Sequence, residues 1–231
     1  NYIISTGGKI YLKRGTYTVQ NGTSITINPP TNGISITIEG EGSMTMYDYA
    51  DATIIYRKGT TAVPLLSVPK TAGAGTFLGL KDLSFVHDPA GATTFNSSLI
   101  LFEPASSSTK NGGGQLNFEN ISVFMEIPSN TVPPAGSIGI QIGEPGFYIN
   151  GDMKLLTNTL VNGCETGYLL NGDWIRAYSA LVWNSKLYGF RIGAGGTPIL
   201  KPMLIGCHVF NFGNYAISIE LNNGSPNLLV D

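Results

Sequence analysis

Two carboxylates hold equivalent places in an internal repeat of this sequence. Asp88 lies six residues after Asp82, and Glu126 lies six residues after Asn120. If the repeats stack as strands about 4.8 Å apart, the two carboxyl groups lie within about 5–9 Å of each other. Glycosidases use two carboxyl groups about 5 Å apart for retention or about 6.5–9.5 Å apart for inversion. The pair therefore predicts an acid and a nucleophile. The alternatives are a pair of Ca²⁺ ligands or two solvated residues at a loop edge.

A second group of polar and aromatic residues suits the binding of a sugar. His87 stands next to the first carboxylate, and Asp173, Trp174 and Arg176 follow an apolar strand. An exposed tryptophan beside a charged group can stack on a sugar ring while the charge hydrogen-bonds the sugar. The alternative is that Trp174 folds over a corner of the chain. These four residues are the candidate substrate-binding residues, and no set of His and Cys residues has the spacing of a zinc site.

The elements that would position these groups repeat along the chain. Segments 161–170, 183–192 and 210–219 share an aromatic residue or Val, then Asn, and then an alternating apolar run. Their asparagines are spaced by 22 and 27 residues, which is a typical length for one turn of a solenoid. Stacked amides can hydrogen-bond along such a stack, so an internal ladder is the prediction and a binding strip the alternative. The ladder residues are Asn162, Asn184 and Asn211.

A looser repeat of 38 residues precedes these segments. It relates residues 78–86 to residues 116–124. Apolar residues two places before and three places after its central position both have to face the core, so the chain must turn a corner there. Each strand then pairs in parallel with its equivalent one turn later. The aligned central residues are Asp82, Asn120, Asn158, Ala180 and Cys207, and the apolar core residues three places later include Trp183 and Phe210.

Composition agrees with an all-β fold and argues against several classes of partner. Of the 231 residues, 12% are charged, 30 are glycine, and the net charge is −2. The low net charge gives no electrostatic reason to bind nucleic acid or an anionic membrane, and no apolar run approaches the ~20 residues that span a bilayer. We expect one domain over residues 1–231, cut from a longer chain at both ends. Cys164 and Cys207 fall in different columns of the repeat, so both are predicted to be free thiols.

The 38-residue turns exceed the shorter turns, and the excess has to leave the strands as loops. Segments 87–96, 103–114 and 127–137 are rich in Gly, Pro, Ser and Thr, as loops are. Long loops on neighbouring turns of a rigid scaffold can wall a functional groove. They can also be variable decoration.

The chain opens with a double glycine, an alternating strand, Gly-Thr-Tyr and a later strand that ends in Gly-x-Gly. These residues are Gly7, Gly8, Ile10, Leu12, Gly15, Tyr17, Ile36, Ile38, Gly40 and Gly42. This opening resembles the pectate-lyase-like superfamily, which includes pectate lyases, polygalacturonases and the tail spikes of many viruses. The resemblance implies a single-stranded, right-handed parallel β-helix. It implies little about activity, because this fold hosts many functions.

Two classes of function follow from the resemblance. The Asp-Asp, Gly-His-Gly and Arg-x-Lys motifs of polygalacturonases are absent, and no arginine lies in an acidic cluster such as pectate lyases use with Ca²⁺. Their absence favours a receptor-binding part of a virion tail spike, fibre or cell-surface protein. Such a protein would be extracellular, would contact surface glycans, and could be a homotrimer. The alternative is a polysaccharide-degrading enzyme, and in either class no cofactor other than Ca²⁺ is expected.

Overall fold

The protein is all-β. The computed structural model describes residues 2–28, 33–44, 51–72, 75–104, 111–127, 132–146, 148–150, 153–195, 202–220 and 229–230. Within these residues the chain forms 22 strands and no helix, so no described helix could cross a membrane. The strands are β1 (Tyr2–Ile4), β2 (Gly8–Tyr11), β3 (Gly15–Val19), β4 (Ile25–Ile27), β5 (Ser35–Glu39), β6 (Thr53–Lys58), β7 (Leu66–Val68), β8 (Thr76–Asp88), β9 (Thr94–Phe102), β10 (Asn111–Met125), β11 (Ala135–Ile142), β12 (Tyr148–Asn150), β13 (Lys154–Thr157), β14 (Leu160–Asn162), β15 (Thr166–Leu170), β16 (Ile175–Tyr178), β17 (Leu181–Trp183), β18 (Tyr188–Ile192), β19 (Met203–Ile205), β20 (His208–Phe210), β21 (Tyr215–Ile219) and β22 (Leu229–Val230).

The strands form two parallel sheets. The smaller sheet has eight strands in the order β1-β4-β7-β9-β11-β15-β18-β21. The larger sheet follows the order β2-β5-β8-β10-β13-β16-β19-β22, and β3, β6, β12, β14, β17 and β20 pair alongside it. In both sheets a strand pairs with one that comes a full turn of the chain later. The predictions of an all-β fold and of parallel pairing are therefore confirmed.

The two longest strands, β8 and β10, each take part in two stacks of strands. The first half of β8 pairs with β5 and its second half with β6, and the break falls at Asp82. In β10 the pairing passes from β13 to β14 at Asn120. Each turn therefore contributes strands to three stacks, one in the smaller sheet and two in the larger sheet. These long parallel ladders are consistent with a parallel β-solenoid.

A left-handed backbone conformation makes the corner between the two stacks of the larger sheet. The φ angle is 51° at Asp82, 53° at Asn120 and 50° at Asn158. Leu80 and Leu83 are both fully buried, although side chains an odd number of residues apart in a regular strand point to opposite faces. The switch of the inward face at this position is therefore confirmed.

In the last two turns the predicted alignment of this corner is wrong by one residue. The left-handed residues are Ser179, with φ 52°, and Gly206, with φ 59°, rather than Ala180 and Cys207. Ala180 is fully buried, so it packs into the core just past the corner. Glycine adopts positive φ without steric cost, which a sequence alignment on apolar columns does not take into account.

The same shift moves Trp183 out of the core position predicted for it. Val161 pairs with Val182, and Val182 is buried with 1% of its surface exposed. Trp183 is half-buried, and its ring lies 5.1 Å from the ring of Phe210, which is itself exposed. Val182 therefore takes the core position, whereas the indole of Trp183 packs outside on the ring of Phe210.

Both cysteines are free thiols, as predicted. Cys164 is buried and Cys207 is half-buried. Burial raises the pKa of the Cys164 thiol far above its ordinary value, so the thiol stays protonated and unreactive.

The corner residues also hydrogen-bond to one another, which leads to the first testable prediction. The amide of Asn120 donates to Asp82 Oδ1 over 2.8 Å and accepts a bond from the Asn158 amide over 3.2 Å. Replacing Asn120 by alanine should lower the free energy of unfolding by about 2 kcal/mol, because both hydrogen bonds are lost and Cβ is strained at positive φ. Urea denaturation measures this change.

Replacement of Asn120 by glycine is the matched control for the backbone contribution. Glycine loses the same hydrogen bonds but carries no Cβ strain, so it should be less destabilising than alanine by about 1 kcal/mol. An alanine variant as stable as the glycine variant would contradict the left-handed corner.

Candidate functional site

Three charged residues stand one above another where strands β6, β8 and β10 end. Lys58 pairs with Asp88 in the strand ladder. The backbone N–H of Glu126 donates to the carbonyl of His87 over 2.8 Å, which continues the parallel register of β8 and β10. Glu126 therefore holds, beyond the end of its strand, the place that Asp88 holds on the preceding turn. The structure brings the two predicted catalytic residues onto adjacent turns and adds a lysine beside them.

Asp88 is held in its ionised form. Its Oδ2 lies 2.7 Å from Lys58 Nζ, and its Oδ1 accepts a hydrogen bond of 2.7 Å from the N–H of Ala90. The hydrogen bond with the ammonium group of Lys58 is the main reason that the pKa of Asp88 lies below its ordinary value. This carboxylate therefore stays negative through neutral pH.

Glu126 is shifted in the opposite direction. Partial burial of its carboxyl group raises its pKa, and the negative charge of Asp88 raises it further, although the Lys58 ammonium counteracts both. One carboxyl that keeps its proton longer beside one that stays ionised is the division that glycoside hydrolysis uses. The pair can therefore supply an acid and an ionised partner on one edge of the sheet.

A groove of about 340 Å³ begins directly after these two carboxylates. Its volume lies within the range of small-molecule sites, about 300–1,000 Å³. Two of the predicted loops wall it, so the groove expected from the loops is present among the described residues. The lining residues are Pro89, Gly91, Ala92, Thr93, Ile127, Val132, Pro133, Pro134 and Lys186.

Hydrogen bonds brace one wall of this groove from behind. Glu165 Oε2 accepts a bond of 2.7 Å from the N–H of Gly136, and its Oε1 lies 3.6 Å from Lys186 Nζ. Ser137 Oγ donates to the carbonyl of Pro134 over 2.6 Å and accepts the N–H of Glu165 over 2.8 Å. The proline-rich wall is therefore tied to the next turn.

His87, predicted to bind substrate, lies inside the protein. Its surface is fully buried, because side chains alternate along β8 and Asp88 takes the outward place. Arg57 Nε donates to His87 Nδ1 over 3.3 Å, and the ring of Phe95 lies 4.8 Å away. Burial, aided by the positive charge of Arg57, lowers the pKa of His87 to about 4. In this structure His87 is a neutral core residue that cannot touch a polysaccharide.

Trp174 and Arg176 meet at the surface, whereas Asp173 lies beneath them. Trp174 is 39% exposed, and the guanidinium carbon of Arg176 lies 5.9 Å from the centre of its ring. Asp173 is 3% exposed, and its carbonyl accepts a hydrogen bond of 3.1 Å from the fully buried Lys154. Asp173 therefore supports this turn from inside and does not face a ligand. The turn precedes β16, so it lies at the other end of the larger sheet's strands from Asp88.

The predicted ladder asparagines stand in one hydrogen-bonded column. The amide of Asn184 donates to Asn162 Oδ1 over 3.1 Å, and the amide of Asn211 donates to Asn184 Oδ1. Asn184 and Asn211 have φ angles of 54° and 50°, whereas in the first of these turns Gly163 takes the left-handed position. Asn162 therefore reaches the column from the preceding residue. The amides bond within the chain, as the ladder interpretation requires.

The carboxylate pair does not fit a Ca²⁺ ion. Calcium takes six to eight oxygen ligands, and both oxygens of Asp88 already accept hydrogen bonds from Lys58 and Ala90. Among the described residues no group of three or more His, Cys, Asp or Glu side chains could hold a metal ion. The described part of the chain therefore offers no third acidic side chain to join Asp88 and Glu126 around an ion.

One ionisable residue that sequence reasoning missed is Glu103, directly after β9. It is 5% exposed, and Gln141 Nε2 donates to its Oε1 over 3.0 Å. Burial, followed by the negative charge of Glu144, raises the pKa of Glu103 to about 7, although Lys70 counteracts it. Lys70 and Glu144 form an ion pair with each other.

The sequence carries one signal for Glu103, an acidic residue at the start of the predicted loop 103–114. Residues 105–110 of that loop, and residues 128–131 of the loop that walls the groove, lie outside the described residues. The burial of Glu103 depends on neighbours from other turns, which no local pattern indicates.

Comparison with known proteins identifies no relative of this chain. No protein-family model matches the chain, and neither a curated protein nor a solved structure is significantly similar to it.

Proposed function

We propose that this chain is a right-handed parallel β-helix with the architecture of the pectate-lyase-like superfamily. Three stacks of parallel strands, joined without helices wherever the structure describes the connections, support this proposal. Crossovers between parallel strands of one sheet are right-handed in about 98% of cases, which supports the handedness. The resemblance of the opening residues from Gly7 to Gly42 supports this superfamily among the proteins with parallel strand stacks.

The function proposed for this β-helix is to bind a surface glycan as part of a virion tail spike, fibre or cell-surface protein. The groove beside Asp88 and Glu126 is the observation that carries the proposal. Its aliphatic and proline walls can cover the C–H faces of sugar rings, and the carboxylates can accept hydrogen bonds from sugar hydroxyl groups. Hydrogen bonds of Glu165 and Ser137 tie one wall of the groove to the next turn, which limits the ordering that binding would cost the protein.

An array of bacterial and animal surface oligosaccharides, followed by calorimetry on those retained, tests this function. Ala92→Phe fills the groove, so it should weaken binding at least about tenfold by removing the contact area of the sugar. Ser5→Phe adds the same bulk at an exposed position of the first turn and should bind like the wild type. A wild type that retains no oligosaccharide, or equal affinity in all three proteins, would overturn the proposal.

A second candidate function is cleavage of the bound glycan. The opposite pKa shifts of the two carboxyl groups favour it, because Glu126 can donate a proton while Asp88 stays ionised. The ion pair with Lys58 favours Asp88 as a general base or electrostatic stabiliser, because a nucleophilic Asp88 would have to break this pair to attack the sugar.

The release of reducing ends from an oligosaccharide bound by the groove distinguishes cleavage from binding alone. An enzyme should produce them with the wild type and lose this activity in Glu126→Gln and Asp88→Asn, with melting curves unchanged. Binding without product in the wild type leaves the receptor-binding function and removes the enzymatic one.

A further inference from the structure

Arg176 differs from the other arginines of this chain. Arg14 and Arg191 each hold a carboxylate at 2.6 Å, and Arg57 donates to three backbone carbonyls. Within the part of the chain that the structure describes, no acidic group pairs with Arg176, and its buried Nε has no hydrogen-bond partner. Buried polar groups of folded proteins nearly always have partners. Of the guanidinium nitrogens of Arg176, only Nε is both buried and unpaired, and the residue as a whole is half-buried. Its Nη groups therefore lie at the surface and can donate to an acceptor from outside.

The neighbours of Arg176 increase its affinity for an anion. On the adjacent strands it pairs with Leu155 and Met203, and both of these residues are half-buried. Apolar side chains on either side shield part of the Arg176 side chain from water, and electrostatic attraction strengthens where water is excluded. The planar fork of an arginine matches the geometry of a carboxylate or sulfate group.

Trp174 supplies an aromatic face directly beside this cation. Trp174 is exposed. Its φ is 51°, a conformation that bulky residues rarely adopt. Lys154 holds the turn in place, since its Nζ donates to the carbonyl of Asp173 and its backbone N–H to that of Trp174, both over 3.1 Å. Strain that a structure maintains in this way is common at ligand-binding positions.

We propose that Trp174 and Arg176 form a subsite for a sugar that carries a carboxylate or sulfate group. The indole stacks on the C–H face of the sugar ring, and the guanidinium binds the anionic group. The inference rests on the proposed glycan-binding function and assigns an acidic sugar to a position separate from the groove. A neutral sugar cannot satisfy the guanidinium in the same way.

Fluorescence of Trp174 tests this subsite directly. The chain has two tryptophans, so Trp183→Phe leaves Trp174 as the one reporter. Matched probes are sialyllactose against lactose, and a chondroitin 6-sulfate tetrasaccharide against its desulfated form. We expect an acidic probe to shift the emission and to bind at least about tenfold tighter than its neutral counterpart.

Variants of the arginine separate its role from that of the fold. In the Trp183→Phe background, Arg176→Gln should weaken binding of the acidic probe about 10- to 100-fold. Arg176→Lys keeps the positive charge but lacks the planar fork, so its affinity for the acidic probe should lie between those of the parent and of Arg176→Gln. Arg14→Gln is the control and should bind like its parent. Unchanged melting curves show that the variants fold.

The results that overturn the subsite differ from those that overturn the groove. Equal affinity for acidic and neutral probes, no response to any acidic probe, or full affinity in Arg176→Gln would refute the anionic subsite. If Ala92→Phe loses glycan binding and the fluorescence of Trp174 does not respond to any glycan, the groove is the only binding site that the results support. If acidic probes still bind at Trp174 with unchanged affinity in Ala92→Phe, the results support the subsite and not the groove.

Discussion

Replacing Arg57 by methionine should lower the free energy of unfolding by about 3–5 kcal/mol. Arg57 is fully buried. Its Nη1 donates to the carbonyls of Thr23 and Pro64 over 3.0 and 3.3 Å, and its Nη2 donates to that of Val63 over 2.7 Å. Methionine fills much of the volume but leaves these acceptors without donors in a place that water does not reach. Each such loss costs about 1–3 kcal/mol.

The charge of Arg57 does not change this expectation at neutral pH. Burial lowers the pKa of its guanidinium to about 10, so the group remains protonated. Its guanidinium ties β6 to the segment between β3 and β4 and to the segment before β7 through these carbonyls, and to β8 through the His87 ring. The loss should therefore appear in the midpoint of urea denaturation with little change in the slope.

Arg14→Met is the matched control for this measurement. Arg14 also holds an acceptor at 2.6 Å, Asp51, but the two side chains are 53% and 71% exposed. Ion pairs in that setting contribute about 0–1 kcal/mol, because water and salt screen them. A similar small loss in Arg57→Met would show that the buried guanidinium does not support the surrounding turns.

A second expected result concerns Glu103, whose replacement by glutamine should stabilise the protein by about 3 kcal/mol at about pH 8. The ordinary pKa of 4.5 becomes about 7 in the folded protein, so the folded state holds the proton more tightly than the unfolded state does. The cost of burying the carboxylate is absent below about pH 4.5, grows as the pH rises, and is complete above about pH 7. Glutamine keeps an oxygen that can accept the hydrogen bond from Gln141 and never ionises.

Glu103→Gln should therefore match the wild type near about pH 4 and exceed it increasingly up to about pH 7. Glu119→Gln is the control, since the Glu119 side chain is 42% exposed beside Lys81 at 3.4 Å and its replacement should change stability by less than about 1 kcal/mol at any pH. Urea denaturation across this range measures both variants. A Glu103→Gln advantage that does not vary with pH would contradict a buried, protonated carboxyl.

His87 makes the free energy of unfolding rise with pH, opposite to the effect of Glu103, over an overlapping range of pH. Its folded pKa of about 4 lies below its ordinary value of 6.5, so the folded state resists the proton. The resulting stability is complete above about pH 6.5 and is lost as the pH falls through about 4. Between about pH 4.5 and 6.5 the two slopes nearly cancel in the wild type. Glu103→Gln should reveal the His87 slope as a stability that rises with pH through that range.

The corner residues show how far sequence reasoning reaches in this fold. The 38-residue offset from Asp82 to Asn120 could be predicted because the same apolar pattern surrounds both residues. The predicted corner is wrong by one residue in the turns of Ser179 and Gly206. In these shorter turns no Asp or Asn side chain marks the left-handed position. Register inferred from apolar columns is secure only while successive turns keep the same length.

The candidate site divides in a similar way. Asp88 and Glu126 could be placed on adjacent turns because their position depends on register alone. The burial of His87 and Glu103 could not be predicted, because their neighbours Arg57 and Gln141 come from other turns about 30 to 40 residues away along the chain. Alternation indicates which side chains share a face, whereas the partner that neutralises or buries them is a property of the whole assembly.

The pairing of each strand with only the preceding and following turns has a consequence for how such a protein evolves. Stability in such an array is close to a sum of terms for single turns and for the contacts between neighbours. The turns that carry Asp88 and Glu126 are separated from the turn of Trp174 by the one that carries β13, and Lys186 is the one residue of the Trp174 turn among those that line the groove. Outward residues of one turn can therefore change without selection having to correct the other, since distant substitutions act independently. Lineages can exchange or reshape binding surfaces turn by turn while the inward columns and the asparagine ladders stay the same.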